Sequence, residues 1–168
     1  MAKARKTVPV QVEDTRALLE LLELDDVYFI HLSVERADNS DDKDLQDGPR
    51  LDHEVFSRHD ETTMSVRLQT TVEAVDAVYL VDVVTDYVSQ VAYEASLDVR
   101  RDFIERVAVM SAWPYVRVAV SDLAARLRSE QVVLGLLRPG DISLGEAQAS
   151  SAIEADITAQ PESDDSLP

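Results

Sequence analysis

Between Met64 and Ala74 the side chains alternate without a break, with Met64, Val66, Leu68, Thr70, Val72 and Ala74 on one side and Ser65, Arg67, Gln69, Thr71 and Glu73 on the other. A period of two held over this length demands a strand with one face in a core and one toward water. After the turn residues Val75-Asp76-Ala77 comes a second β-rich run, 78–91. Here both faces are apolar, Tyr79, Val81, Val83, Tyr87 and Val91 against Val78, Leu80, Val84 and Val88. Consecutive strands joined by so short a turn pair antiparallel. A small antiparallel sheet meets its own helices on one face only, so the apolar surplus predicts a subunit interface, with Tyr79, Val81, Val83 and Tyr87 as its candidate residues.

The flanking segments supply the rest of an α+β domain. Asp14 can cap a short helix over 15–24, with Leu18, Leu21 and Leu22 on one side. Residues 27–36 alternate again, Tyr28, Ile30, Leu32 and Val34 opposite His31, Ser33 and Glu35, which predicts a half-exposed strand. Residues 38–61 carry nine acidic side chains against Lys43, Arg50 and Arg58, with Asp47-Gly48-Pro49 as a turn signal, and predict a long mobile crossover whose second half, Leu51 to His59, forms a weak edge strand around Val55. Ser96 or Asp98 starts a helix carrying Phe103, Ile104, Val107 and Met110 on its apolar face. Pro114 is expected to end that helix and open a second one over about 114–128, striped by Val116, Val120, Leu123 and Leu127. Val132–Leu137, Ile142 and Leu144 predict an extended arm across it.

Charge and composition exclude several function classes. The chain has 168 residues, the size of one domain, and a formal net charge of -17, with an isoelectric point near 4.3. Such a surface repels nucleic acid and anionic lipid. Without cysteine there is no disulfide frame, thiolate nucleophile or zinc ribbon. Lys3, Arg5 and Lys6 precede a stretch broken by Pro9, Glu13 and Asp14, so no signal-peptide core follows, and no run approaches the ~20 apolar residues of a spanning helix. The expectation is a cytoplasmic protein without membrane insertion: a flexible N-terminus over 1–12, a domain over 13–145, and a disordered tail over 146–168 that holds six acidic residues and no basic ones.

Trp113-Pro114-Tyr115-Val116-Arg117, followed by Val120-Ser121-Asp122-Leu123, resembles the start of the long second helix in the SecB chaperones, an aromatic-Pro-Tyr-small-Arg run with a Ser-x-Leu-like segment after it. Leu32-Ser33-Val34-Glu35 resembles that family's Ile-Ser-Phe-Glu, and Val132 to Leu144 its apolar, Pro-containing arm. The resemblance covers about 25–38 and 62–144. It implies a SecB-like four-stranded antiparallel sheet with a long C-terminal helix pair packed on one face, assembled as a homotetramer, a dimer of dimers. It further implies an ATP-independent holdase for unfolded polypeptides, acting without cofactor, that serves export through SecA or guards an antitoxin. The residues it marks for a client groove are Tyr115, Val116, Val120 and Leu123 with Phe56 from the crossover, and for a SecA-type contact His31, Glu35, Leu80 and Asp82, where His31 replaces an acid.

Other chemistries find less support. His31, His53 and His59 stand near Asp52, Glu54, Asp60 and Glu61 but without ligand spacing, so no metal site is expected. In the acidic run, Lys43 and Leu45 fall where a calcium loop needs oxygen ligands. Ser57, His59 and Asp60 lie in a polar segment with no strand-to-helix elbow, and there is no glycine-rich phosphate loop. No enzyme activity is expected. Trp113, the single tryptophan, reads as a corner-packing aromatic. The alternative to a chaperone is an acidic protein-binding or inhibitor module that occupies a basic partner.

Overall fold

In the computed structural model, residues 8–138, 140–142 and 144 are described. The chain runs β1 (Val10–Val12), α1 (Thr15–Leu21), β2 (Glu23–Arg36), a one-turn helix α2 (Lys43–Gln46), β3 (Arg50–His59), β4 (Thr63–Glu73), β5 (Ala77–Val88), β6 (Tyr93–Ala95), α3 (Leu97–Phe103), a π-helical turn Ile104–Ala108, and α4 (Val109–Leu127). Strands β2 to β5 make one antiparallel sheet in the order β2-β5-β4-β3, and α4 packs across it. The expected SecB-like α+β arrangement of a four-stranded sheet with a long C-terminal helix is therefore present.

The alternation of β4 becomes burial directly: Met64, Val66, Leu68, Thr70 and Val72 are at most 1% exposed. On β5, Tyr79, Val81, Val83 and Tyr87 share that helix-facing side and lie in the same core. Tyr79 bonds Ser129 through its hydroxyl at 2.7 Å, and Tyr87 meets Phe103 edge-on at 5.2 Å. These four residues are thus closed inside their own chain, which overturns their assignment to a subunit interface. Both faces of β5 are apolar, and α4 docks on the one that carries the aromatic residues. The face left outward is Val78, Leu80, Asp82, Val84, Asp86 and Val88.

The acidic crossover is more ordered than its charge suggested. Leu45 of α2 is buried, and Arg50 pairs with Asp42 at 3.0 Å and Glu73 at 2.8 Å, fixing the start of a ten-residue β3. The Arg50 guanidinium holds the Asp42 carboxyl below its usual range. At the other end, residues 10–12, expected to be flexible, form β1 and pair in parallel with β6. Asp14 caps α1 through Ala17 N–H at 2.7 Å, as expected, and the helix ends at Leu21 because Glu23 already belongs to β2. Leu18 and Leu22 enter the core, and Thr15 bonds Asp102 of α3 at 2.6 Å, docking α1 on the helical layer. Residues 1–7 and the expected tail 146–168 lie outside the described residues.

The expected break at Pro114 is absent. Pro114 sits inside α4, and the irregularity falls upstream, where Val109 N–H reaches back five residues to Ile104 C=O. A proline removes one hydrogen bond from the helix, but Ala112, Trp113 and Val116 on either side are buried and hold the local geometry through packing. The helix ends at Arg128, left-handed at φ 56°.

Candidate functional site

Cross-strand partners share a face of a sheet. His31 stands opposite Asp82, Ser33 opposite Leu80 and Glu35 opposite Val78, so His31, Glu35, Leu80 and Asp82 come together on the outward face. Asp82, however, is 2% exposed and held by Arg67 through bonds of 2.9, 3.1 and 2.6 Å. Its charge is neutralised where it lies, so it is no free acid for a partner. Arg67 also stacks over Phe56 at 5.2 Å, which places Phe56 on this outward face.

β2 closes one side of the sheet and departs from simple alternation. Asp25 and Ile30 are extra residues at two register shifts. The bulge at Ile30 moves Tyr28 to the outward face opposite Val84 and brings Phe29 to the helix side with Leu32 and Val34, correcting the expected grouping of Tyr28 with Leu32. Three consecutive large apolar residues, Tyr28-Phe29-Ile30, were the signal for it. Tyr28, Phe29, Ile30 and Leu32 are 42%, 40%, 54% and 43% exposed on a strand whose outer backbone edge is unpaired among the described residues. Burial and the nearby Asp86 carboxylate raise the Tyr28 phenol above its usual pKa, so it stays a neutral amphipathic contact group. Such an edge is a template for another chain.

The third element is the groove that α3 and α4 form with the residues beyond them. Trp113 Nε1–H donates to Gly135 C=O at 2.9 Å, and Arg117 Nε–H donates to Leu134 C=O at 3.0 Å. Leu144 N–H donates to Glu105 at 2.7 Å, and its carbonyl accepts from Arg101. Leu134, Ile142 and Leu144 are buried, so the expected extended arm packs on the helix as the sequence implied. Trp113 is 3% exposed and meets His53 edge-on at 5.5 Å, a packing role. Burial lowers the His53 pKa; burial and then the Arg100 charge lower that of His59.

The residues expected to line a client groove are not brought together. Val116 and Val120 are 0% exposed, Leu123 is partly buried against the core, and Tyr115 projects from the helical layer while Phe56 lies on the opposite face of the sheet. A stripe at helical spacing looks the same whether it meets a client or a sheet, and here it meets the sheet. Arg67, the side-chain donors Trp113 and Arg117, and the bulge at Ile30 are site features that only the fold reveals.

No protein-family model matches the sequence. The SecB-like chaperone SmegB of Mycolicibacterium smegmatis is 32% identical over 139 residues, 83% of this chain and 91% of the relative. The solved Mycobacterium tuberculosis Rv1957 SecB-like chaperone, in complex with a ChAD peptide from the Rv1956 HigA1 antitoxin, superposes with a TM-score of 0.62 at 16% identity, over 72% of this chain and 94% of that one, and supports the fold. With an apolar open edge, a helix bound to an extended segment, and a relative this similar over nearly its whole length, the chain belongs to the SecB-like chaperones.

Proposed function

We propose that the protein holds extended apolar stretches of non-native polypeptide without ATP, and that its client is an antitoxin segment or an export precursor. The observation that carries this is the uncovered apolar edge of β2, which a folded monomer would otherwise blunt with charge or cover. The antitoxin peptide held by the solved relative favours the dedicated role. Neutralisation of Asp82 and the histidine at 31 argue against strong SecA coupling, because a charge-steered contact weakens with each lost acid.

The outward sheet face beside that edge, at Val78, Leu80 and Val88, is the surface we assign to assembly into a tetramer in place of the Tyr79 face. Among the described residues no helix is long and apolar enough to cross a membrane, and we place the protein's work in the cytoplasm, where unfolded clients are held.

The test is suppression of aggregation of a chemically denatured client, with and without nucleotide, at 0.05 and 0.5 M NaCl. Suppression that is indifferent to nucleotide and survives high salt supports apolar holding. Stoichiometric binding to a basic protein that dissolves at high salt, with no suppression, would establish the acidic inhibitor instead.

A further inference from the structure

The residues after α4 are held in an unusual way. Among the described residues, no backbone-to-backbone bond joins the segment beyond Glu130 to any strand or helix. Its main chain is gripped by side chains, Trp113 and Arg117 on the carbonyls of Gly135 and Leu134, and Glu105 and Arg101 on the N–H and C=O of Leu144. In the same segment Leu134, Ile142 and Leu144 fill apolar seats, while Val133 and Leu136 project outward at 71% and 79% exposure. Side-chain donors on a peptide backbone read no sequence, and apolar seats at intervals accept any large apolar side chain. That is the recognition a holdase needs for an extended client, yet here the protein's own chain occupies it.

We propose that this groove along Arg101, Glu105, Trp113 and Arg117 is a client-holding surface, and that the described residues of the segment 131–144 are a built-in pseudo-client which leaves when an extended apolar segment of a non-native chain takes its place. The proposal rests on the holding function above and adds a second surface for the client, beyond the β2 edge, and what keeps that surface closed in the empty protein. It explains why the sequence puts exposed Val133 and Leu136 in a segment with no ladder of its own: an arm made to leave is anchored by a few seats and grips, not by a sheet. It also accounts for the chaperone's need to hide apolar seats from solvent between clients.

The probe is a fluorescein-labelled peptide with the sequence of residues 131–144, followed by anisotropy. Leu134→Ser weakens the resident arm and leaves the groove intact, so the peptide should bind at least roughly tenfold tighter than to the native chain, the equivalent of losing part of one buried leucine contact. Retained far-UV circular dichroism shows that the variant is folded. Because the chain has no cysteine, the arm can also be locked: Val118→Cys and Leu136→Cys each lie one residue from a grip, and a cleavable bis-maleimide bridges them. The locked protein should lose peptide binding and most suppression of client aggregation, and recover both on cleavage. If the locked chain binds peptide and suppresses aggregation as well as the unlocked one, or Leu134→Ser leaves the peptide affinity unchanged, the groove proposal is overturned while the holding function stands. If the native chain suppresses no aggregation but the Leu134→Ser chain takes the peptide, the holding function falls and the groove survives.

Discussion

Removing Arg67 should destabilise the protein more than removing the acid it binds. The Asp82 side chain is 3% exposed and that of Arg67 40%, and the two are joined by a bond of 2.6 Å. Arg67→Met strands a buried carboxylate, a change that costs about 3–5 kcal/mol in an enclosed site. The lower end, about 3 kcal/mol, applies here because water already reaches the guanidinium side. Asp82→Asn leaves a guanidinium that can turn to solvent, so only the charge-assisted part of the bond is lost, about 1 kcal/mol after solvent screening. At about 2–4 °C per kcal/mol for a chain of this size, the melting temperature should fall by about 6–12 °C for Arg67→Met and about 2–4 °C for Asp82→Asn. The double variant Arg67→Met/Asp82→Leu, with no charge left to bury, should return to within about 1 kcal/mol of the native protein. Urea unfolding at pH 7, followed by the fluorescence of the single tryptophan, Trp113, measures all of them. If Asp82→Asn costs as much as Arg67→Met, or the double variant is as unstable as the two single changes added, Asp82 is not the buried partner described.

Val116→Ala and Val120→Ala should each cost about 2 kcal/mol in urea unfolding while leaving client capture per folded molecule unchanged, because both side chains are fully buried; a loss of capture at unchanged stability would restore them to the client surface. Leu80→Lys/Val88→Lys should reduce the assembled mass in sedimentation velocity, and a native-sized oligomer would show that the outward sheet face is not the contact. His53 and His59 have pKa values lowered in the fold, so the unfolded chain binds more protons below about pH 6.5; their stabilising effect is present above that pH and is lost as pH falls through the folded values. Urea midpoints should therefore drop between pH 7 and 5, and His53→Asn should flatten the slope; an unchanged slope would assign the effect elsewhere.

Strand content and helix-side burial could be read from residue order because they depend on local periodicity. β4 alternates over its full length and folds as it reads, Asp14 caps α1, and the arm after α4 packs where its apolar residues implied. Misreadings arose wherever two elements compete for the same surface. Both faces of β5 are apolar, and only the docking of α4 decides that Tyr79 points inward and Leu80 outward. The first half of the acidic crossover reads as loop because its charges disfavour water-excluded packing, yet α2 buries Leu45 there; the edge strand expected over 51–59 is present as β3, paired with β4 and gripped at its start by Arg50.

Pro114 shows the division most clearly. By itself a proline in this position signals a helix break, and with the residues around it the pattern also carries the resemblance to the SecB-like family. The tertiary structure keeps the helix whole, because burial of Trp113 and Val116 outweighs one missing hydrogen bond. Family and fold class were therefore set by short-range pattern. Which apolar residues remain open to a client was set by packing across the sheet, through contacts between residues far apart in the chain.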